Sequence, residues 1–164
     1  MQENHQLEQY FFDRETTGRL ADLCAAAAAP CCLGTPSVAR ELHRRGQPAR
    51  LLDVDARFAE LPGFVHWDFY RPRPLSERFD LIVCDPPFSR VRLSQLFVAL
   101  RTLVQGDFTT RLVLCHLERR QHDIQGALGA FGLSLTDIVP TYVSVSPSPA
   151  DRIVVYANFP TSAA

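Results

Sequence analysis

The chain has 164 residues, 46% apolar and 21% charged, which suits one globular domain with a sizeable core and excludes a disordered or fibrous class. Its 17 basic and 18 acidic residues leave a net charge of −1, so no global basic character points to nucleic acid. No apolar run approaches the ~20 residues of a membrane span; all the basic residues are arginine, which excludes Schiff-base and lysine-nucleophile chemistry.

Residues 1–8 are polar and read as a flexible N-terminus, ahead of a single domain over residues 9–160. Gln9-Tyr10-Phe11-Phe12 is an aromatic cluster suited to stapling onto the core. Asp13 reads as a helix cap, with Thr16, Leu20, Leu23 and Ala27 at helical spacing until Pro30 stops the helix. The alanine run 25–29 is too short, and too closely preceded by charge, for a signal peptide. Cys31-Cys32-Leu33 is a short apolar strand, and Gly34-Thr35-Pro36-Ser37 turns into a helix carrying Val38 and Leu42 inward, with His43 beside them, as far as Gly46. Such a turn offers free backbone N–H groups at a helix start. It is not Gly-x-Gly-x-x-Gly and is weak when taken alone.

A second strand, Arg50 to Asp55, ends in acids about 20 residues after the glycine turn, where a doubly wound fold places an acid on a ribose hydroxyl pair. The plainer reading is that Asp55 caps a short helical segment at 56–61. Phe64-Val65-His66 is a third strand leading to Trp67-Asp68-Phe69-Tyr70, where an acid between aromatic rings suits an adenine amino group, or equally a solvated acid at an aromatic edge. The run Leu81 to Cys84 is apolar on successive positions, as in a strand covered on both faces, and Asp85-Pro86-Pro87-Phe88 ends it. The two prolines cannot donate to a ladder. The result is a rigid turn presenting an acid, two carbonyls and an aromatic ring.

A helix follows over 91–104, then a strand over 111–115 and a helix over 118–131. Strands over 133–139 and 141–145 flank Pro140, and a last strand spans 153–159 after a Pro/Ser turn. The cysteines at 24, 31, 32, 84 and 115 form no C-x-x-C and lie in or beside apolar runs. They read as reduced thiols of a cytoplasmic protein, with neither a metal site nor a disulfide framework. Strands alternating with helices predict an α/β layered sheet with an antiparallel C-terminal edge. Gly34, Asp55, Asp68 and Asp85 then fall at carboxyl ends of strands and converge on one rim, where ligands of such sheets bind.

Asp85-Pro86-Pro87-Phe88 resembles the signature Asp/Asn/Ser-Pro-Pro-aromatic of S-adenosylmethionine-dependent N-methyltransferases. The resemblance extends over most of residues 9–159 to the lysine methyltransferases of translation elongation factor one-alpha, a group first labelled probable N6-adenine methyltransferases. It rests on Gln9-Tyr10-Phe11-Phe12, Gly34-Thr35-Pro36-Ser37, Asp53-Val54-Asp55-x-Arg57-Phe58, Phe64 to Phe69, Val139-Pro140 and Val155 to Phe159. It implies a Rossmann-like, seven-stranded methyltransferase sheet, mostly parallel with an antiparallel C-terminal edge hairpin. It also implies S-adenosyl-L-methionine as cofactor, held by Tyr10, Phe11, Gly34, Thr35, Pro36, Asp53, Asp55, Asp68 and Phe69, and an acceptor site at Asp85, Pro86, Pro87 and Phe88.

The implied substrate is a macromolecule, with no membrane and no metal involved: a protein lysine first, adenine N6 of RNA or DNA second. A non-catalytic partner subunit of the same fold is a third reading, opposed by the intact signature. Phe88 stands where the family often has tyrosine, and arginines 71, 73, 78, 90 and 92 form a potential lip on the predicted rim.

Overall fold

Four short apolar strands, each feeding a helix or a turn, assemble in the computed structural model into the centre of one seven-stranded sheet; residues 2–162 are described. The strands are β1 (Pro30–Leu33), β2 (Arg50–Asp53), β3 (Phe64–His66), β4 (Leu81–Cys84), β5 (Arg111–Leu117), β6 (Ser134–Leu135) and β7 (Ile153–Ala157). Their order is β3-β2-β1-β4-β5-β7-β6. The first five are parallel; β7 runs antiparallel to both β5 and β6. This is the Rossmann-like arrangement expected from the sequence.

Every residue of β1, β4 and β7 is buried, which explains their uninterrupted apolar runs. Alternate residues serve opposite faces. Cys32, Leu81, Val83 and Val113 pack with helices α1 (Arg14–Cys24) and α2 (Pro36–Arg44). Cys31, Leu33, Ile82 and Leu112 pack with α3 (Leu93–Leu103) and α4 (Gln121–Ala127).

Three elements differ from the expectation. Helix α1 ends at Cys24, short of Pro30, and Pro30 opens β1. Alanine favours helix, but tertiary partners capture this backbone. The Gln47 amide donates to the Cys24 and Ala27 carbonyls, and the Asp80 carboxylate accepts from the Ala28 and Ala29 amides at 2.9 Å. The helix expected over 118–131 is a short α4 between two 3₁₀ turns, in a stretch weakened by Gly126 and Gly129. The edge strand is only Ser134–Leu135; residues 141–145 do not form the second arm of a hairpin with β7. Their backbone instead joins the N-terminal segment. Tyr142 bridges Phe12, the Asp13 amide donates to the Thr141 carbonyl, and the Thr141 amide donates to the Thr16 hydroxyl.

Candidate active site

The strand order reverses between β1 and β4, and at such a switch point the loops that follow diverge and leave a crevice. Gly34 leaves β1 at φ +67°, its amide donating to the Leu52 carbonyl at 2.9 Å. A methyl group on Gly34 would sit 2.9 Å from the Asp85 carbonyl oxygen. The two loops therefore approach closely only because no side chain stands between them. Thr35 is buried and spends its hydroxyl on the Val83 carbonyl, and Pro36 occupies the first turn of α2. Both residues fix the loop from beneath without lining the crevice.

Asp53 ends β2 on the crevice wall, accepts the Asp55 amide at 2.9 Å, and is pushed up to about 6 by burial. Asp55 is occupied elsewhere. Its carboxylate caps the following 3₁₀ turn, pairs with the Arg57 guanidinium at 2.6 Å and accepts from the Gln9 side chain at 3.2 Å. Hydrogen bonds from Arg57 hold its carboxyl below the usual range. Asp68 accepts the Tyr70 amide at 2.9 Å, while the neighbouring Trp67 and Phe69, packed edge to face at 5.9 Å, supply the apolar wall.

The N-terminal segment crosses this crevice. It is tied by the Asn4–Gln9 bridge, by Gln9 to Asp55, by the Ser89 hydroxyl to Glu8, and by the Phe11 amide to Glu3. Tyr10 lines the crevice; Phe11 turns away onto Phe58, with ring centroids 6.3 Å apart.

Two adjoining cavities result, both open to solvent. One, of about 70 Å³, lies between the strap and Gly34, Asp53, Trp67 and Phe69. The other, of about 720 Å³, is walled by Pro86, Phe88, Tyr142 and Leu117. Glu8, Tyr10 and Asp85 line both. Burial pushes the Asp85 carboxyl well above the usual carboxylate range, against the Tyr142 hydroxyl, which donates to its oxygens at 3.3 and 3.4 Å. Phe88 stacks edge-on against buried His116, centroids 4.9 Å apart. His116 accepts the Leu117 amide on Nδ1, and burial, aided by Arg120 and Arg119, lowers it to about 4, so it is a neutral platform at physiological pH.

None of arginines 71, 73, 78, 90 or 92 lines these two cavities. The arginines on the larger cavity are Arg119 and Arg120, paired to Asp151 and Asp123. Glu8, His116 and Tyr142 are site residues that sequence reasoning did not single out. Among the described residues no group of three or more His, Cys, Asp or Glu could hold a metal, and no helix is long and apolar enough to cross a membrane. All five cysteines are free and buried; burial drives the Cys24 thiol up to about 12.

The chain is 33% identical over 129 residues to EEF1A lysine methyltransferase 1 of Bos taurus, covering 70% of this chain and 55% of the relative. It is 32% identical over 135 residues to a protein-lysine N-methyltransferase of Caenorhabditis elegans, covering 69% and 61%. The alignments thus span little more than half the length of these curated relatives. Magnesium protoporphyrin IX methyltransferase from Synechocystis PCC 6803, solved with bound SAM, superposes with a TM-score of 0.58 at 15% identity, over 87% of this chain and 74% of that one. That likeness shows the shared fold. The family described as probable N6-adenine methyltransferase matches residues 3–161, nearly the whole sequence, and the chain belongs to that family.

Proposed function

We propose that this chain is an S-adenosyl-L-methionine-dependent N-methyltransferase whose acceptor is a lysine side chain of a protein of the elongation factor one-alpha type. The observation that carries the reading is the position of Asp85, an acid on the shared wall of two adjoining cavities. One cavity has the features of a nucleoside site, the other room for an entering chain. The names of the curated relatives support the lysine.

The smaller cavity fits the cofactor on observations of its own. A Cβ at Gly34 would fill the crevice beside the Asp85 carbonyl, Asp53 stands on the wall as an acceptor for ribose hydroxyls, and Trp67 and Phe69 offer apolar faces to a base. The cofactor supplies a methyl group activated by a sulfonium, whose carbon–sulfur electron pair returns to sulfur on transfer.

The chain's residues do the rest. Asp85 and the Pro86 carbonyl accept hydrogen bonds from the acceptor nitrogen and aim its lone pair at the smaller cavity. A lysine enters as an ammonium and must shed one proton before it attacks. Asp85 is the carboxyl group on the wall shared by both cavities, and we assign it the role of general base on that position; burial raises its proton affinity toward that of the amine. The product is a methylated ammonium. Phe88, fixed edge-on by neutral His116, forms an apolar wall against which that cation rests.

A second reading has its own support: the larger cavity beside the Phe88 ring has room for an unstacked adenine. Incubation with radiolabelled cofactor decides between them. The enzyme is offered elongation factor 1A freed of nucleic acid, and in parallel a deproteinised RNA and DNA fraction. Label is expected on lysine of the protein. Label confined to the nucleic acid overturns the lysine assignment.

Asp53 gives a prediction of opposite signs for binding and stability. Its folded carboxyl titrates at about 6, above its ordinary value of 3.8, because burial penalises the charge. Stability from this group is therefore full below about pH 4 and lost as pH rises through about 6; at pH 8 the ionised group costs on the order of 3 kcal/mol. Asp53→Asn keeps an oxygen for the Asp55 amide and removes the charge. Urea unfolding of the cofactor-free protein at pH 8 is expected to show a stabilised variant. Calorimetry is expected to show roughly tenfold weaker cofactor binding, since one carboxylate acceptor for the ribose hydroxyls is lost. Wild-type affinity falls below pH 6 for the same reason. Unchanged affinity in the variant removes Asp53 from the cofactor site.

A further inference from the structure

Glu8 stands where the two cavities meet. Its backbone is fixed in the left-handed region at φ +51°, and its amide donates to the His5 carbonyl at 3.1 Å. One side-chain oxygen, Oε1, accepts the Ser89 hydroxyl from the loop that follows Pro87 and Phe88. The other, Oε2, is buried and has no hydrogen-bond partner among the described residues. An acceptor left bare in this way costs free energy, more so when it carries charge, and in a native structure it calls for a physical explanation, a bound ligand being one.

Two details say what would complete it. The cations on the larger cavity, Arg119 and Arg120, are held by Asp151 and Asp123, so each already has an acid of its own. Asp85 lines the same two cavities, so an entering group meets two carboxyl side chains at one junction. The complementary ligand is a compact cation with several N–H donors.

We propose that Glu8 selects the acceptor, its free oxygen receiving the ammonium of a lysine side chain and disfavouring neutral amino groups. The inference deepens the reading under Proposed function and rests on it. An adenine amino group offers donors but no charge, and bound there it would leave the Glu8 carboxylate enclosed and uncompensated. Glu8 is a specificity residue: it holds the arriving cation, while Asp85 orients the nitrogen and takes its proton. The same ammonium chemistry exists on the α-amino group of the cofactor, so the test separates the two sources.

The full chain is assayed as wild type, Glu8→Gln and Glu8→Asp, with elongation factor 1A and an adenine-containing oligonucleotide as acceptors and cofactor affinity measured by calorimetry. Thermal unfolding midpoints establish that each variant is folded. For Glu8→Gln, KM for the protein acceptor is expected to rise at least about tenfold with a smaller change in kcat, cofactor Kd to stay within about twofold, and Glu8→Asp to recover part of the loss. A parallel loss of cofactor affinity assigns the free oxygen to the cofactor's own ammonium and overturns the proposal. An unchanged KM, or equal losses in the neutral and the charged variant, overturns it as well. Transfer by the wild type to the oligonucleotide alone is a different failure: it removes the lysine reading first, and the selectivity inferred from it follows.

Discussion

Asp85→Asn slows methyl transfer by about 10²–10⁴-fold, the range expected for loss of a positioned general base, while the cofactor still binds and the fold is retained. The substitution preserves size and one acceptor oxygen, so the Tyr142 hydroxyl keeps a partner. The variant loses the capacity to take the acceptor's proton. Its stability should not suffer, and the sign follows from the titration. Burial raises the folded carboxyl above its ordinary value, so the group's contribution to stability is present at low pH and lost as pH climbs through the folded value. Wherever the carboxyl is ionised, the asparagine removes a charge that burial penalises. Single-turnover transfer to a lysine acceptor, beside thermal unfolding at pH 7, checks both halves. A variant that transfers at the wild-type rate would show that the proton leaves by another route. A variant that unfolds early would show that the ionised carboxylate is structural.

The turn after β4 was legible because prolines are unambiguous. Leu81 to Cys84 read as a strand covered on both faces, and Pro86-Pro87 had to end it, which left Asp85 at a carboxyl end. The rim followed from topology only in part: Gly34 and Asp85 meet because parallel strands deliver their ends to the same edge, whereas Asp55 is engaged by Arg57, Asp68 accepts the Tyr70 amide, and neither lines the smaller cavity. What escaped is what tertiary contact alone decides. The alanine run past Cys24 has every local reason to remain helical and is pulled out of helix by Gln47 and Asp80, partners far along the chain.

Tyr142 lay in a stretch whose apolar alternation suggested a strand; its backbone pairs with Phe12 across the sequence instead, which turns its hydroxyl to Asp85. Nor did the composition of residues 2–8 announce a strap. It is polar because it lies on the surface of a crevice, and Glu8 is informative only through the geometry of Ser89 and the two cavities. His116 sits one residue beyond the expected end of β5, and no periodicity distinguishes a ring that supports Phe88 from any other buried histidine.

The glycine at the crossing of the two loops carries the other large effect. Gly34→Ala is expected to destabilise the protein by about 2–3 kcal/mol and to weaken cofactor binding by roughly tenfold or more. Two costs combine. The residue sits at φ +67°, which an L side chain adopts at a penalty of about 1 kcal/mol. Its new methyl would also lie 2.9 Å from the Asp85 carbonyl oxygen, a backbone atom that cannot swing aside as a side chain would. Relief requires the loops after β1 and β4 to separate, which moves Asp85 relative to the cofactor cavity. Gly106→Ala isolates the first cost. Gly106 has φ +80°, and a methyl there meets nothing within 4 Å, so its alanine variant should lose only about 1 kcal/mol and bind cofactor as the wild type does. Urea titration and calorimetry on the two variants separate conformational strain from the clash. If the two variants lose equal stability and bind cofactor equally well, the contact between Gly34 and Asp85 does not shape the site, and the close approach of β1 and β4 is a packing feature without a role in binding.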